Sequence, residues 1–256
     1  MKYDLQGSTM QMLNVELKKD ETMVAESGRL VYMSDNVNME TKMKGGFWTS
    51  VKRKFAGESF FLVHFTPQAG PGTIGFGSEF PGKIIPLKLN KGETLIAQKD
   101  AFLCGDKDIS FDASFVKKIG AGFLGGEGLI LIKVQGPGQV FFNVGGEVAE
   151  IPLKKGQKLR IDTSNLAMFD SSMDYDVERV KGVKNMIWGG EGLFLATVTG
   201  PGRVWVQSMP VSELAGKLAQ YMPRGGGSSI NLSKGSSGAA TGAAAGAIIG
   251  SMFSRR

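Results

Sequence analysis

The chain has 256 residues, 42% of them hydrophobic and 21% charged, a balance ordinary for a globular protein. A single cysteine excludes an internal disulfide and multi-cysteine zinc sites and suits a reducing compartment. The formal charge of +6 is unevenly spread: Arg224, Lys234, Arg255 and Arg256 put +4 of it into the acid-free stretch 224–256, leaving +2 for everything before it. That is little for a nucleic-acid-binding body.

The N-terminus, MKYDLQGSTMQML, has acid and polar residues where a signal peptide needs a continuous apolar run, so a cytoplasmic protein is expected. A lysine-rich turn and an amphipathic strand follow, LKKDETMVA from Leu17, and the same pair returns as LNKGETLIA from Leu89 and LKKGQKLRI from Leu153. Each is followed, after a basic and aromatic segment, by a second recurring stretch: GESFFLVHFTPQAGPG at 57–72, GEGLILIKVQGPG at 126–138 and GEGLFLATVTGPG at 190–202. Its glutamates, Glu58, Glu127 and Glu191, are 69 and 64 residues apart. A fixed period of this size marks a repeat architecture.

Within these stretches apolar residues alternate with period two, the strand period: Phe61, Val63 and Phe65, Ile130, Ile132 and Val134, and Phe194, Ala196 and Val198 share one parity. The Gly-Pro-Gly at 70–72, 136–138 and 200–202 reads as a type II turn, with proline setting its first central position and glycine supplying the positive φ. A second apolar run completes a hairpin, Val140–Phe142 or Val204–Val206. The first hairpin loop is longer, with Pro67, Gln68 and Ala69, and is expected to project. Ile85-Pro86-Leu87 and Ile151-Pro152-Leu153 join successive units, and their prolines suit sheet edges.

The expected fold is therefore all-β: three repeated small β-sandwich units of double-stranded β-helix type with pseudo-threefold symmetry. The units are 1–88, 89–152 and 153–210. A capping helix at 211–223 follows, with Ser212 as N-cap and Leu214, Leu218 and Tyr221 on one stripe. Residues 224–256 form a Gly/Ser/Ala-rich, flexible tail.

These strands and hairpins, with the basic-aromatic loop before each glutamate, resemble the altered inheritance of mitochondria biogenesis family over roughly residues 1–210. The resemblance implies a fold like that of the tryptophan RNA-binding attenuation protein and no established enzymatic activity. It also implies a link to membrane organisation or stress response. Neither tryptophan pockets nor RNA contacts of the attenuation protein have residue-by-residue counterparts in this sequence.

His64, the only histidine, aligns with Lys133 and Thr197, which marks it as a surface strand position. Cys104 aligns within one gap with Met33 and Phe169 and reads as core. Glu58, Glu127 and Glu191 could gather around a hard cation, or each could bind the backbone of its own glycine-rich turn. No cofactor, metal-ligand cluster or catalytic constellation is legible. The binding candidates are Trp48, Lys52, Arg53 and Lys54 in the first basic loop and Trp188 in the third, residue types that suit an anionic membrane or an acidic partner. In the tail, Gly238, Gly242, Gly246 and Gly250 would share one helix stripe, a pattern for self-association or membrane insertion unless the tail is simply disordered. The function expected is a non-enzymatic scaffold or binding module, peripheral at the inner face of the membrane. The alternative is a nucleic-acid-binding module.

Overall fold

The computed structural model describes residues 1–41, 62–111, 117–119, 129–179 and 194–221. Twenty strands and one α-helix account for most of them. In chain order the strands are β1 (Lys2–Gln6), β2 (Met12–Leu17), β3 (Met23–Glu26), β4 (Leu30–Met33), β5 (Val37–Glu40), β6 (Leu62–Pro67) and β7 (Gly72–Gly77). Then come β8 (Gly82–Leu89), β9 (Thr94–Gln98), β10 (Phe102–Asp106), β11 (Ser110–Phe111), β12 (Lys117–Ile119), β13 (Leu129–Gln135) and β14 (Gly138–Gly145). The last six are β15 (Val148–Leu153), β16 (Lys158–Asp162), β17 (Leu166–Asp170), β18 (Asp174–Arg179), β19 (Phe194–Thr199) and β20 (Gly202–Gln207). The helix α1 is Val211–Tyr221.

The strands form four sheets, ordered β1-β2-β7-β4, β5-β6-β3-β10-β14-β8, β11-β13-β9-β17-β20-β15 (with β12 also on β13) and β16-β19-β18. Every ladder between them is antiparallel. Pro86 and Pro152 lie in β8 and β15, both at sheet edges, where a missing N–H leaves no gap in an inner ladder. The alternation along β6, β13 and β19 buries Val63, Phe65, Ile132, Val134, Ala196 and Val198. On the other parity Leu62 and Leu131 are buried too, while His64, Lys133 and Thr197 are half-buried.

The core falls into three clusters, and none is confined to one stretch of chain. Leu13, Phe65 and Phe76 pack with Leu103, Cys104 and Phe141; Ile96 and Leu131 pack with Phe169, Val198 and Val204. The central cluster joins Val24 and Leu62 to Phe102 and Phe142, and to Met168 and Trp205. Neighbouring stretches thus complete one another's interiors.

Three local details depart from the sequence reading. The second and third Gly-Pro-Gly turns contain cis peptide bonds, Gly136–Pro137 and Gly200–Pro201, so they are not type II turns. In the first, the positive φ falls on Gly70, ahead of the proline, and the longer loop is tied down: Asn36 Nδ2 donates to the carbonyls of Ala69 (2.5 Å) and Pro71 (3.0 Å). Helix α1 starts from the Pro210 carbonyl, which accepts from the N–H groups of Glu213 and Leu214, rather than from Ser212. Its stripe is largely open, with Leu218 57% and Tyr221 86% exposed; Glu213 Oε1 lies 3.4 Å from the Ser164 hydroxyl, which donates to Asp162 Oδ1 at 2.7 Å.

Candidate functional site

The buried polar groups of the described fold collect at two junctions. At the first, β3 pairs with β10, setting Ala25 opposite Cys104, Val24 opposite Gly105 and Met23 opposite Asp106. Arg29 lies beside it in the turn after β3, its side chain only 4% exposed. Its guanidinium donates to Glu26 Oε2 from Nε (3.0 Å) and Nη2 (2.5 Å), and to Glu79 Oε2 from Nη1 (2.5 Å). Nη2 also reaches the Asp100 carbonyl at 3.5 Å. The Glu79 N–H donates to Asn143 Oδ1 on β14, which extends the cluster across the junction. Burial alone would lower the Arg29 pKa, but the carboxylates of Glu26 and Glu79 outweigh it and hold the cation charged. For Glu26 the balance is reversed: burial raises its pKa more than Arg29 lowers it.

At the second junction β17 pairs with β9, Met168 opposite Ala97, Phe169 opposite Ile96 and Asp170 opposite Leu95. Here the side chains that cross between the strands are two amides. Gln98 Nε2 donates to the carbonyls of Ser164 (3.2 Å) and Leu166 (2.7 Å). Gln207 Nε2 donates to the Ser164 carbonyl (3.0 Å) and Gln98 Oε1 (3.4 Å), while its Oε1 accepts from the Gly145 N–H at 2.8 Å.

A cleft of about 290 Å³ opens beside this second junction, lined by Glu93, Thr94, Asp170, Ser171, Ser172 and Arg203 among others. Its cation is already engaged. Arg203 donates to Asp170 from Nε (3.2 Å) and Nη2 (3.1 Å) and lies 4.8 Å from the centre of the Trp205 ring, and these hydrogen bonds raise its pKa. Trp205 in turn donates from Nε1 to Glu150 at 3.0 Å. The cleft therefore presents the Asp170–Arg203 pair, a second carboxylate on Glu93 and two serines rather than a free guanidinium.

Cys104 is fully buried opposite Phe141, and burial pushes its thiol well up, which suits core packing rather than chemistry. Its register places it level with Tyr32 and Met168, one residue away from the sequence alignment with Met33 and Phe169. An apolar run has too little pattern to fix register to the residue. His64 sits on β6 opposite Val24 and Glu40.

Trp48, Lys52, Arg53, Lys54 and Trp188 lie outside the described residues, as do Glu58, Glu127, Glu191, Gly238, Gly242, Gly246 and Gly250. The residues that sequence reasoning passed over are Arg29, Gln98 and Gln207. Only Arg29 left a trace, as the Glu26-Ser-Gly-Arg29 spacing that lets a carboxylate and a guanidinium meet across a turn. Among the described residues no group of three or more His, Cys, Asp or Glu side chains could hold a metal ion. No helix among them is long and apolar enough to cross a membrane.

Fold and junctions together define an all-β protein whose interior polar groups link one set of strands to the next. The sequence model of the mitochondrial biogenesis AIM24 family matches residues 3–209, and the chain belongs to that family. It is 28% identical over 221 residues to an uncharacterized protein of Streptococcus pyogenes serotype M6, covering 83% of this chain and 87% of that one. A crystal structure of a Streptococcus pyogenes protein has the same fold. The TM-score is 0.68 at 24% identity, over 86% of this chain and 99% of that chain.

Proposed function

We propose that this member of the family is a non-enzymatic scaffold of three β modules in series, which presents basic loops to an anionic membrane surface. The modules run β2–β7, β8–β14 and β15–β20, with a pseudo-threefold relation between them. On this reading residues 82–88 belong to the second module and 148–152 to the third, which the pairing of β8 with β14 and of β15 with β20 supports.

The observation that carries the module reading is a set of hydrogen bonds made three times over. Lys18, Asn90 and Lys154 each donate their backbone N–H to the side chain three residues on, Glu21 (2.8 Å), Glu93 (2.6 Å) and Gln157 (3.1 Å). The residue between needs a positive φ and is Asp20, Gly92 or Gly156. The side chains of Ser34, Asp106 and Asp170 likewise accept the N–H groups of Thr73 (2.9 Å), Gln139 (2.7 Å) and Arg203 (2.8 Å).

A scaffold role is supported by where these polar groups are spent: the buried Arg29 and Gln207 and the half-buried Gln98 join modules instead of converging on an open cavity. The membrane-facing part rests on the sequence, on Trp48, Lys52, Arg53, Lys54 and Trp188, and on the family's link to mitochondrial biogenesis. The glycine stripe of the tail would add a second contact, with membrane or with other copies.

Flotation with vesicles containing phosphatidylserine, against pure phosphatidylcholine, tests the reading. The full chain floats with the anionic vesicles, and replacing Lys52, Arg53 and Lys54 together by Ala weakens partitioning by roughly 100-fold, at about 1 kcal/mol per basic residue. A chain that stays with the soluble fraction on both kinds of vesicle defeats the membrane role. Co-purification with RNA and salt-sensitive single-strand binding would point instead to the nucleic-acid alternative.

A further inference from the structure

The junction between modules is directional. A strand of the β4 type from one module pairs with a strand of the β3 type from the module before it: β10 on β3, then β17 on β9, in the same register both times. A row of three modules built this way has two unused half-junctions, β4 at one end and β16 at the other. Among the described residues both are sheet edges.

Burial marks these two strands out from their counterparts. Four of the five residues of β10 and of β17 are buried, whereas in β4 Leu30 is half-buried and Val31, Tyr32 and Met33 are exposed. Val24 and Ile96, central in β3 and β9, are buried; Arg160, their counterpart in β16, is exposed. β4 has no charged residue to protect its edge, and a bare apolar edge is a template for another strand. It is also held ready: Tyr32 lies over Gly75, where an added Cβ would come within 2.2 Å of the ring, and its hydroxyl donates to Asn14 Oδ1 at 2.5 Å.

We propose that β4 of one copy of this chain pairs antiparallel with β16 of a second copy, repeating between molecules the junction that the chain makes twice within itself. The internal registers set Tyr32 opposite Ile161, Met33 opposite Arg160 and Ser34 opposite Leu159. The two faces differ, so the contact is head-to-tail and generates either a closed ring or an open filament. The proposal rests on the module correspondence given above and is independent of the membrane role.

Two measurements on the full chain test it. Sedimentation velocity over a concentration series should show species heavier than one chain. Val31→Lys with Met33→Lys should weaken association at least tenfold while leaving the urea midpoint unchanged, because both side chains are exposed. Separately prepared Met33→Cys and Arg160→Cys chains, mixed and oxidised, should form a disulfide-linked pair with each other in preference to themselves; Cys104 is buried and does not compete. A chain of single-copy mass at every concentration overturns the proposal and leaves the module reading standing. Association without the 33–160 cross-link overturns the register and the correspondence behind it. An intrachain link at single-copy mass in the double variant shows that the row closes on itself and also overturns the second copy as occupant.

Discussion

The two internal junctions use the same backbone ladder and opposite polar chemistry. The ladder of β3 with β10 is flanked by Arg29, Glu26 and Glu79; that of β9 with β17 is flanked by Gln98 and Gln207. The backbone geometry therefore does not require charge. What each junction needs is that the carbonyls and N–H groups left over beside a three-residue ladder find partners, and either a guanidinium or a pair of amides can supply them. The ionic version carries a liability that the amide version lacks, because removing one member leaves an uncompensated charge in a desolvated place.

The largest effect that separates the two is therefore Arg29→Ala. It should cost about 3–5 kcal/mol in urea unfolding, because Glu26 is left buried without its partner. A loss below about 1 kcal/mol would mean that the first junction is no more charge-dependent than the second. Gln207→Leu should cost less, about 1–3 kcal/mol, since it orphans the Gly145 N–H but leaves no charge behind. If it proves as costly as Arg29→Ala, the contrast between ionic and amide junctions fails.

The smallest effect is one of pH. Glu26 titrates above its ordinary value of 4.5, so between that value and its raised native value the folded state holds a proton that the unfolded chain has released. Its contribution to stability therefore falls as pH rises through that window and levels off above it. Glu26→Gln should remove this slope from a series of urea midpoints against pH. An unaltered slope would show that Glu26 is not the group responsible.

Much of the strand framework was legible because its signals are local. Period-two alternation announced the buried faces of β6, β13 and β19, and the prolines at 86 and 152 announced edge strands, since a residue without an N–H cannot serve an inner ladder. The turns were legible in position but not in kind. Gly-Pro-Gly fixes where the chain reverses, while the cis bonds at 136–137 and 200–201 are not written in that tripeptide, which the first turn shares without a cis bond. The binding residues expected from the basic loops and the tail lie outside the described residues and await the vesicle experiment. The site that did emerge, the pair of junctions, was almost invisible in sequence. Gln98 and Gln207 are 109 residues apart, and nothing in either neighbourhood marks it as a linking amide.

The sequence by itself determined an all-β chain, and comparison among its recurring stretches demoted His64 and Cys104. Alternation and turn chemistry act over a few residues and can be read one segment at a time. Only the tertiary structure decided how neighbouring stretches share their cores, which polar residues are buried between them, and that β4 and β16 lack, among the described residues, the partners that their counterparts have. Those outcomes depend on which strands meet, and meeting is set by the burial of the whole chain.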